Sequence, residues 1–249
     1  DHCPGFPSAA KYIATSISEV YLDSHVYDKG QITIVEIMGR HAGWLAGAAA
    51  LAKLTGCGPD LIYLPEVDFN MEEFLADVSD IYAKNKNCIV AVSEAKTSAT
   101  DGFGHAQLGG LAALLANVVK EKTGAKVRGI ELSLLQRCGA HVASGTDIAE
   151  SYLAGKTAVE AAVSGVTDKM VAFACTRTED GGYRCDTKLL DLSSVANYEK
   201  KVPVEWINER GNDISDEFIR YALPLIQGET GMVKENGLPR FAKLKKVRA

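Results

Sequence analysis

No apolar run in this sequence is long enough to span a bilayer. The most apolar stretch, Trp44–Leu54, is interrupted by Gly47 and Lys53, whereas a membrane helix needs about 20 consecutive apolar residues. No basic segment followed by an apolar one opens the chain, so a secretory signal is not expected. Paired cysteines are also missing. Cys3, Cys57, Cys88, Cys138, Cys175 and Cys185 show no CxxC spacing and are scattered through 249 residues. A chain of that length can bury a sizeable core without covalent staples, so free thiols in a reducing cytoplasm are expected. His2, His25, His41, His105 and His141 show no ligand spacing with these cysteines, and the linear pattern therefore offers no zinc site. Positive charge is not in excess: the net charge is −5, which excludes the basic footprint of a non-specific nucleic-acid binder. The basic group Arg240, Lys243, Lys245, Lys246 and Arg248 reads as a solvated tail. An initiator Met is lacking as well. The chain opens in turn chemistry, Asp1-His2-Cys3-Pro4-Gly5-Phe6, as expected of a segment cut from a longer polypeptide.

What is present is an alternation of two periodicities. Ser8 to Tyr21 carries apolar residues at helical spacing, with Ser8 as the expected N-cap. Gln31–Met38 is β-branched and predicts a strand. His41–Leu54 is rich in Ala and Leu and predicts a helix, and Asp60–Leu64 a strand ending before Pro65. Asn70 with Glu73 forms a capping-box pattern for a helix to about Lys84. Cys88–Ser93 is a continuous apolar run, as in a strand buried on both faces. A polar loop is expected over Lys96–His105, then a helix over Leu108–Lys122, a strand over Val127–Leu134 and a helix over Asp147–Val163. Lys169–Cys175 reads as another buried strand, Gly181-Gly182 as a turn with a short returning strand, and Ile214–Leu225 as a last helix. Strand and helix alternating about five times predicts an α/β fold of mostly parallel sheet with flanking helices.

In open parallel sheets ligands bind beyond the carboxyl ends of the strands. Three such positions carry chemistry: Gly39-Arg40-His41-Ala42-Gly43, Glu94, and Gln136-Arg137-Cys138-Gly139. Arg presents a planar fork matched to phosphate oxygens. Glycine lets backbone approach a ligand and lets a helix start with its amides aimed at an anion. A lone carboxylate accepts from sugar hydroxyls. Phosphate plus polyol describes a sugar phosphate. Each residue also has a plainer reading: a tight turn with a solvated Arg40, a helix-capping or surface Glu94, and a surface ion pair of Arg137 with Asp147.

The run Ile34-Val35-Glu36-Ile37-Met38-Gly39-Arg40-His41-Ala42-Gly43 resembles the signature stretch of 6-phosphofructokinases. Leu135-Gln136-Arg137-Cys138-Gly139 is similar to that family's second signature. Pro4-Gly5-Phe6 with Ser8-Ala9-Ala10 is similar to the loop and helix that lead into the first. The resemblance implies a phosphofructokinase-like fold lacking its N-terminal portion. Residues 1–136 would form the fructose 6-phosphate domain, 137–200 a return into an incomplete donor domain, and 201–249 a C-terminal helix and tail. It implies that Met38, Gly39 and Arg40 contact fructose 6-phosphate, with Arg40 also near the transferred phosphoryl group. By the same resemblance Glu94 binds sugar hydroxyls, Arg137 binds the 6-phosphate, and Arg128 reaches a neighbouring subunit's substrate. A homo-oligomer, dimer or tetramer, with shared sites follows. Gln31 and Leu134 depart from the ATP-dependent bacterial pattern, Leu134 at a substrate-phosphate position. Gly211-Asn212-Asp213 and Leu225-Ile226-Gln227-Gly228-Glu229 resemble the pyrophosphate-using clade, so pyrophosphate is expected over ATP as donor. Mg²⁺ is implied as cofactor, with no metal ligand in this chain. The family's donor loop and general-base aspartate would lie upstream of Asp1, so the chain alone is expected to be inactive. The implied activity is glycolytic phosphorylation of the fructose 6-phosphate 1-hydroxyl in the cytoplasm. The rival expectation is a catalytically inactive subunit that binds a sugar phosphate and regulates a partner.

Overall fold

Apolar β-branched runs become the central strands, and amphipathic segments become the layers that cover them. A computed structural model describes residues 1–26, 28–94, 96–100, 106–108, 110–243 and 245, with side chains described outside 95–109. The chain opens with α1 (Phe6–Ser24), followed by β1 (Ile32–Ile37), the short α2 (Trp44–Gly47) and a 3-10 segment, Ala48–Thr55. Next come β2 (Leu61–Tyr63), α3 (Met71–Asn85), β3 (Cys88–Ser93), a hairpin of β4 (Lys96–Thr100) and β5 (Ala106–Leu108), and α4 (Leu111–Thr123). After β6 (Val127–Glu131), α5 (Leu135–Cys138) and α6 (Gly145–Val163), a second hairpin joins β7 (Lys169–Arg177) to β8 (Tyr183–Asp191). The remainder holds α7 (Leu192–Val195), α8 (Asp216–Ala222) and a small hairpin of β9 (Lys234–Glu235) and β10 (Leu238–Pro239).

The main sheet has the order β2-β3-β1-β6 and is parallel throughout. Its period-2 alternation sorts side chains onto two cores. Ile32 and Ile34 pack with Phe74 and Val78 of α3 and Leu115 and Val119 of α4. Val35 and Ile37 face the other way, onto Ala10, Ile13 and Ile17 of α1, Ala48–Ala52, and Phe218 and Leu225 from the C-terminal segment. Small residues allow α1 and the 3-10 segment to approach closely: Ala10, Ala48, Ala49 and Ala50 are all fully buried. Among the described residues, no helix is long and apolar enough to cross a membrane, and all six cysteines are free.

Five local expectations need correction. Helix α1 starts at Phe6, not Ser8, because Gly5 takes the left-handed conformation (φ 90°) and Pro7 suits a first turn. The Ser8 hydroxyl donates to Asp147 Oδ2 (2.5 Å) instead of capping. The helix expected from His41 begins at Trp44, because Gly39 to Gly43 forms a turn closed by Ala42 N–H donating to the Gly39 carbonyl (2.8 Å). Part of the expected Lys96–His105 loop is the Thr-rich strand β4, paired with β5; residues 101–105 lie outside the described residues. Strand β7 is not buried on both faces. Among the described residues it pairs only with β8, antiparallel and in register from Lys169↔Asp191 to Arg177↔Tyr183, and Phe173 is its only buried residue. The last helix runs from Asp216, its final turn tightening to 3-10 at Pro224. Of the basic tail, Arg240, Lys243 and Lys245 are exposed, while Lys246 and Arg248 lie outside the described residues. The Asn70 pattern does cap α3, with Oδ1 accepting from Glu72 N–H (2.9 Å) and Glu73 N–H (3.2 Å).

Candidate functional site

The carboxyl ends of β3, β1 and β6 lie side by side in the parallel sheet. The turn after β1 is braced from both neighbouring strand ends. Glu94, directly after β3, receives the Gly39 and Arg40 amides on Oε1, each at 3.2 Å. From the β6 side, Gln136 in α5 receives the Met38 amide on its Oε1 (3.1 Å). Arg40 has φ 39°, in the left-handed region that non-glycine residues rarely adopt. Two acceptors on three consecutive amides hold it there. Gly39 has no alternative residue at this packing: a Cβ would sit 2.7 Å from Ser93 Oγ and 2.9 Å from the Ala42 carbonyl oxygen. At the far end of the turn, Glu66 Oε1 receives Gly43 N–H (2.8 Å) and Val202 N–H (3.0 Å).

A cleft of about 230 Å³ opens beside this turn, lined by Arg40, Leu64, Pro65, Val92, Ser93 and Glu94 among others. The structure thus brings Arg40 and Glu94 together at the cleft, while Met38 and Gly39 belong to the adjoining turn and do not line it. Glu94 Oε2 makes no hydrogen bond among the described residues. Arg137 and Leu134 flank the same edge but do not line the cleft. Both are exposed, Leu134 by 54%, because β6 ends at Glu131 and the chain turns outward through Ser133, at φ 43°. Arg137 does not pair with Asp147, whose Oδ1 receives the Gly5 amide (2.8 Å) and whose Oδ2 receives the Ser8 amide (3.2 Å). Arg128 is exposed on the edge strand β6, opposite Thr33 and so well before the carboxyl end of β1. It is remote in register from the cleft.

Sequence reasoning missed Glu66 and Ser93, and it named Gln136 in the stretch after β6 without assigning it a role. Gln136 is 1% exposed, while its neighbour Arg137 carries the recognisable chemistry. The buried Gln136 Nε2, Glu66 Oε2 and Ser93 Oγ have no partner among the described residues. Their signal was indirect: amide-accepting side chains placed next to a glycine-bounded turn. One further buried acid sits a residue pair below the turn. Glu36, 1% exposed on β1, receives the first amides of α4, with Ala112 N–H at 2.8 Å from Oε2. Burial raises its pKa, partly opposed by those amides and reinforced by Glu131 and Glu94.

Among the described cleft-lining residues Glu94 is the only carboxylate, and its Oε1 is already engaged. Mg²⁺ takes octahedral oxygen coordination, and this donor set does not fit it.

Fold and cleft together define a parallel α/β protein whose cleft lies at the carboxyl ends of the strands. The comparisons with known proteins carry this further. The chain belongs to the phosphofructokinase family, whose model matches residues 1–162. It is 42% identical over 261 residues to the pyrophosphate–fructose 6-phosphate 1-phosphotransferase of Halomonas elongata, covering 100% of this chain and 62% of that protein. It is 40% identical over 257 residues to the protein of the same name from Methylococcus capsulatus, covering 98% of this chain and 61% of the relative. The crystal structure of the pyrophosphate-dependent phosphofructokinase from Marinobacter aquaeolei superposes with a TM-score of 0.84 at 38% identity, over 99% of this chain and 62% of that one. The chain therefore spans about 62% of the length of these relatives.

Proposed function

We propose that this chain supplies the acceptor site of a phosphotransferase that phosphorylates the 1-hydroxyl of fructose 6-phosphate, with pyrophosphate as donor. The observation that carries the reading is the brace of Gly39 and Arg40 on Glu94 at the mouth of the cleft. It fixes a guanidinium-bearing turn beside a carboxylate whose second oxygen has no partner among the described residues. In this reading Glu94 Oε2 accepts from sugar hydroxyls, and Arg137, exposed at the same edge, takes the 6-phosphate. Arg40 offsets negative charge on the transferring group, Met38 and Gly39 hold the turn against the substrate, and Leu134 meets it beside Arg137 at the exposed edge. Phosphoryl transfer depends on positioning and charge neutralisation, so a rigid turn is the relevant contribution. The names of the relatives support pyrophosphate over ATP and give no support to a catalytically inactive subunit. Because the cleft offers one carboxylate, Mg²⁺ is assigned no ligand here. Arg128 on an exposed edge strand suits contact with a neighbouring subunit in a dimer or tetramer, and the reading places the protein in the cytoplasm.

The test uses a protein of the relatives' full length that carries this chain. Fructose 1,6-bisphosphate formation is measured with pyrophosphate and with ATP; turnover with ATP alone refutes the donor assignment. Arg137→Ala is expected to weaken fructose 6-phosphate binding roughly 10- to 100-fold, the loss of a charge-assisted hydrogen bond. Unchanged affinity in calorimetry removes Arg137 from the site.

A further inference from the structure

Away from the cleft, the first two residues fold against the β7–β8 hairpin and build a cluster that the linear sequence hides. The His2 side chain is 2% exposed and rests against the Phe173 ring, with centroids 4.8 Å apart. Its two nitrogens face different groups. Nε2 meets Glu150 Oε2 at 2.6 Å. Nδ1 faces Asp1 Oδ2 at 3.7 Å and Cys175 Sγ at 3.9 Å. One ligand atom each from Asp1, His2 and Cys175 thus lies within 4.8 Å of the others. The Glu150 carboxylate is itself fixed, its Oε1 receiving the Tyr183 hydroxyl at 2.6 Å.

We propose that Asp1, His2 and Cys175 form a binding site for a zinc ion, with Glu150 as the positioning residue for the imidazole. The donor set is thiolate, imidazole and carboxylate, which zinc takes and Mg²⁺ does not. Zinc–sulfur and zinc–nitrogen bonds of about 2.3 and 2.0 Å in a tetrahedron put neighbouring donors about 3.3–3.6 Å apart. The two separations from His2, 3.7 and 3.9 Å, need only a small contraction, while Asp1 and Cys175, within 4.8 Å of each other, must draw closer through a turn of the Asp1 side chain. Metal-bound histidines characteristically donate their other N–H to a carboxylate, and Glu150 stands at that nitrogen. Burial lowers the His2 pKa, and the hydrogen bond to Glu150 opposes that shift. Arg177 donates from Nη1 to Asp1 Oδ2 (2.8 Å), orienting that carboxylate while setting a positive charge beside the site. Three protein ligands leave a fourth position for water. Binding replaces the Cys175 S–H bond with a zinc–sulfur bond and releases one proton to solvent. The ion would tie the segment leading into α1 to β7, across 173 residues of sequence.

The experiment titrates the full chain with Zn²⁺ against a chromophoric indicator, and with Co²⁺ as a spectroscopic probe. One equivalent is expected to bind. Co²⁺ should show a thiolate-to-metal charge-transfer band and the intense visible bands of four-coordination, and Zn²⁺ should raise Tm by mass action. Cys175→Ser and His2→Gln should abolish the charge-transfer band and the Tm shift, and Glu150→Gln should weaken binding about 10- to 100-fold. Cys3→Ser, which leaves all three ligands in place, should bind as the wild type does. Circular dichroism confirms that each variant folds. Absence of stoichiometric binding by the wild type overturns the proposal, as does a charge-transfer band that survives Cys175→Ser or disappears in Cys3→Ser.

Discussion

Replacing Glu94 by Ala removes the acceptor for two consecutive amides, and its consequences can be worked from the geometry. Both hydrogen bonds are 3.2 Å long and lie at a half-buried Gly39 and an exposed Arg40. Water can replace part of what is lost, so each contributes less than the usual charged-acceptor bond, about 0.5–1.5 kcal/mol. Against this, Arg40 at φ 39° stores roughly 1–2 kcal/mol of backbone strain. Without the brace the residue relaxes towards negative φ and regains some of it. The net destabilisation of Glu94→Ala is therefore about 1–2 kcal/mol. Glu94→Gln keeps an Oε1 acceptor for the amides and should cost less than half as much. The two variants part on ligand binding. If Glu94 Oε2 accepts a sugar hydroxyl, Gln offers an N–H₂ donor there, so both variants lose fructose 6-phosphate affinity alike. Urea denaturation followed by fluorescence of Trp44 and Trp206, which share one aromatic cluster, measures the first effect, and calorimetry the second. An unchanged denaturation midpoint for Glu94→Ala refutes the bracing argument. A Gln variant with full substrate affinity refutes the role of Oε2.

Three further outcomes follow from buried groups. Glu36 has a folded-state pKa above its unfolded value, so its contribution favours folding at low pH and is lost as pH rises through the raised value; Glu36→Gln should flatten that decline, making the variant relatively more stable at neutral than at acid pH, which Tm against pH measures. Phe218→Ala empties a fully buried position packed on Trp44, Trp206 and Gly47 and should cost about 3–5 kcal/mol in denaturant unfolding. Asp147→Ala strips the acceptor from the Gly5 and Ser8 amides and the Ser8 hydroxyl and should cost about 3 kcal/mol, with Asp147→Asn recovering part of the loss.

The elements most legible in the sequence are those whose signal is local and redundant. Cys88–Ser93 reads as a buried strand because six consecutive residues suit two apolar faces, and all six are buried. Asn70 reads as a cap because its acceptor serves amides two and three residues on. Legibility fails where a distant partner decides the outcome. Lys169–Cys175 has the composition of a buried strand, but with β8 as its only pairing partner among the described residues the ribbon leaves Met170 and Leu189 each 40% exposed. Ser8 has the right type and place for a cap, yet Asp147, 139 positions away, captures its hydroxyl. At the cleft, Arg40 and Glu94 were legible because strand ends converge by topology. Gln136 and Glu66 were not, because an uncharged amide and a mid-loop acid look ordinary until their acceptors are seen on the Met38 and Gly43 amides.

Those hidden acceptors change where the functional unit ends. The family match stops at residue 162, which alone would make the later segment an appendage. Glu66 argues otherwise, since one oxygen holds both the Gly43 amide of the cleft turn and the Val202 amide of the C-terminal segment. A Cβ at Gly43 would meet Glu66 Oε2 at 2.6 Å, so the turn, the carboxylate and the returning chain fit one another at van der Waals limits. Val202, Ile207, Ile214 and Phe218 then complete the core beneath α1 and the 3-10 segment. Movement of the C-terminal segment would pull directly on the turn that carries Arg40. If the proposed phosphoryl transfer holds, little misplacement of its charged groups is tolerated, and the residues beyond the matched region would then help to position the turn, although among the described residues none of them lines the cleft.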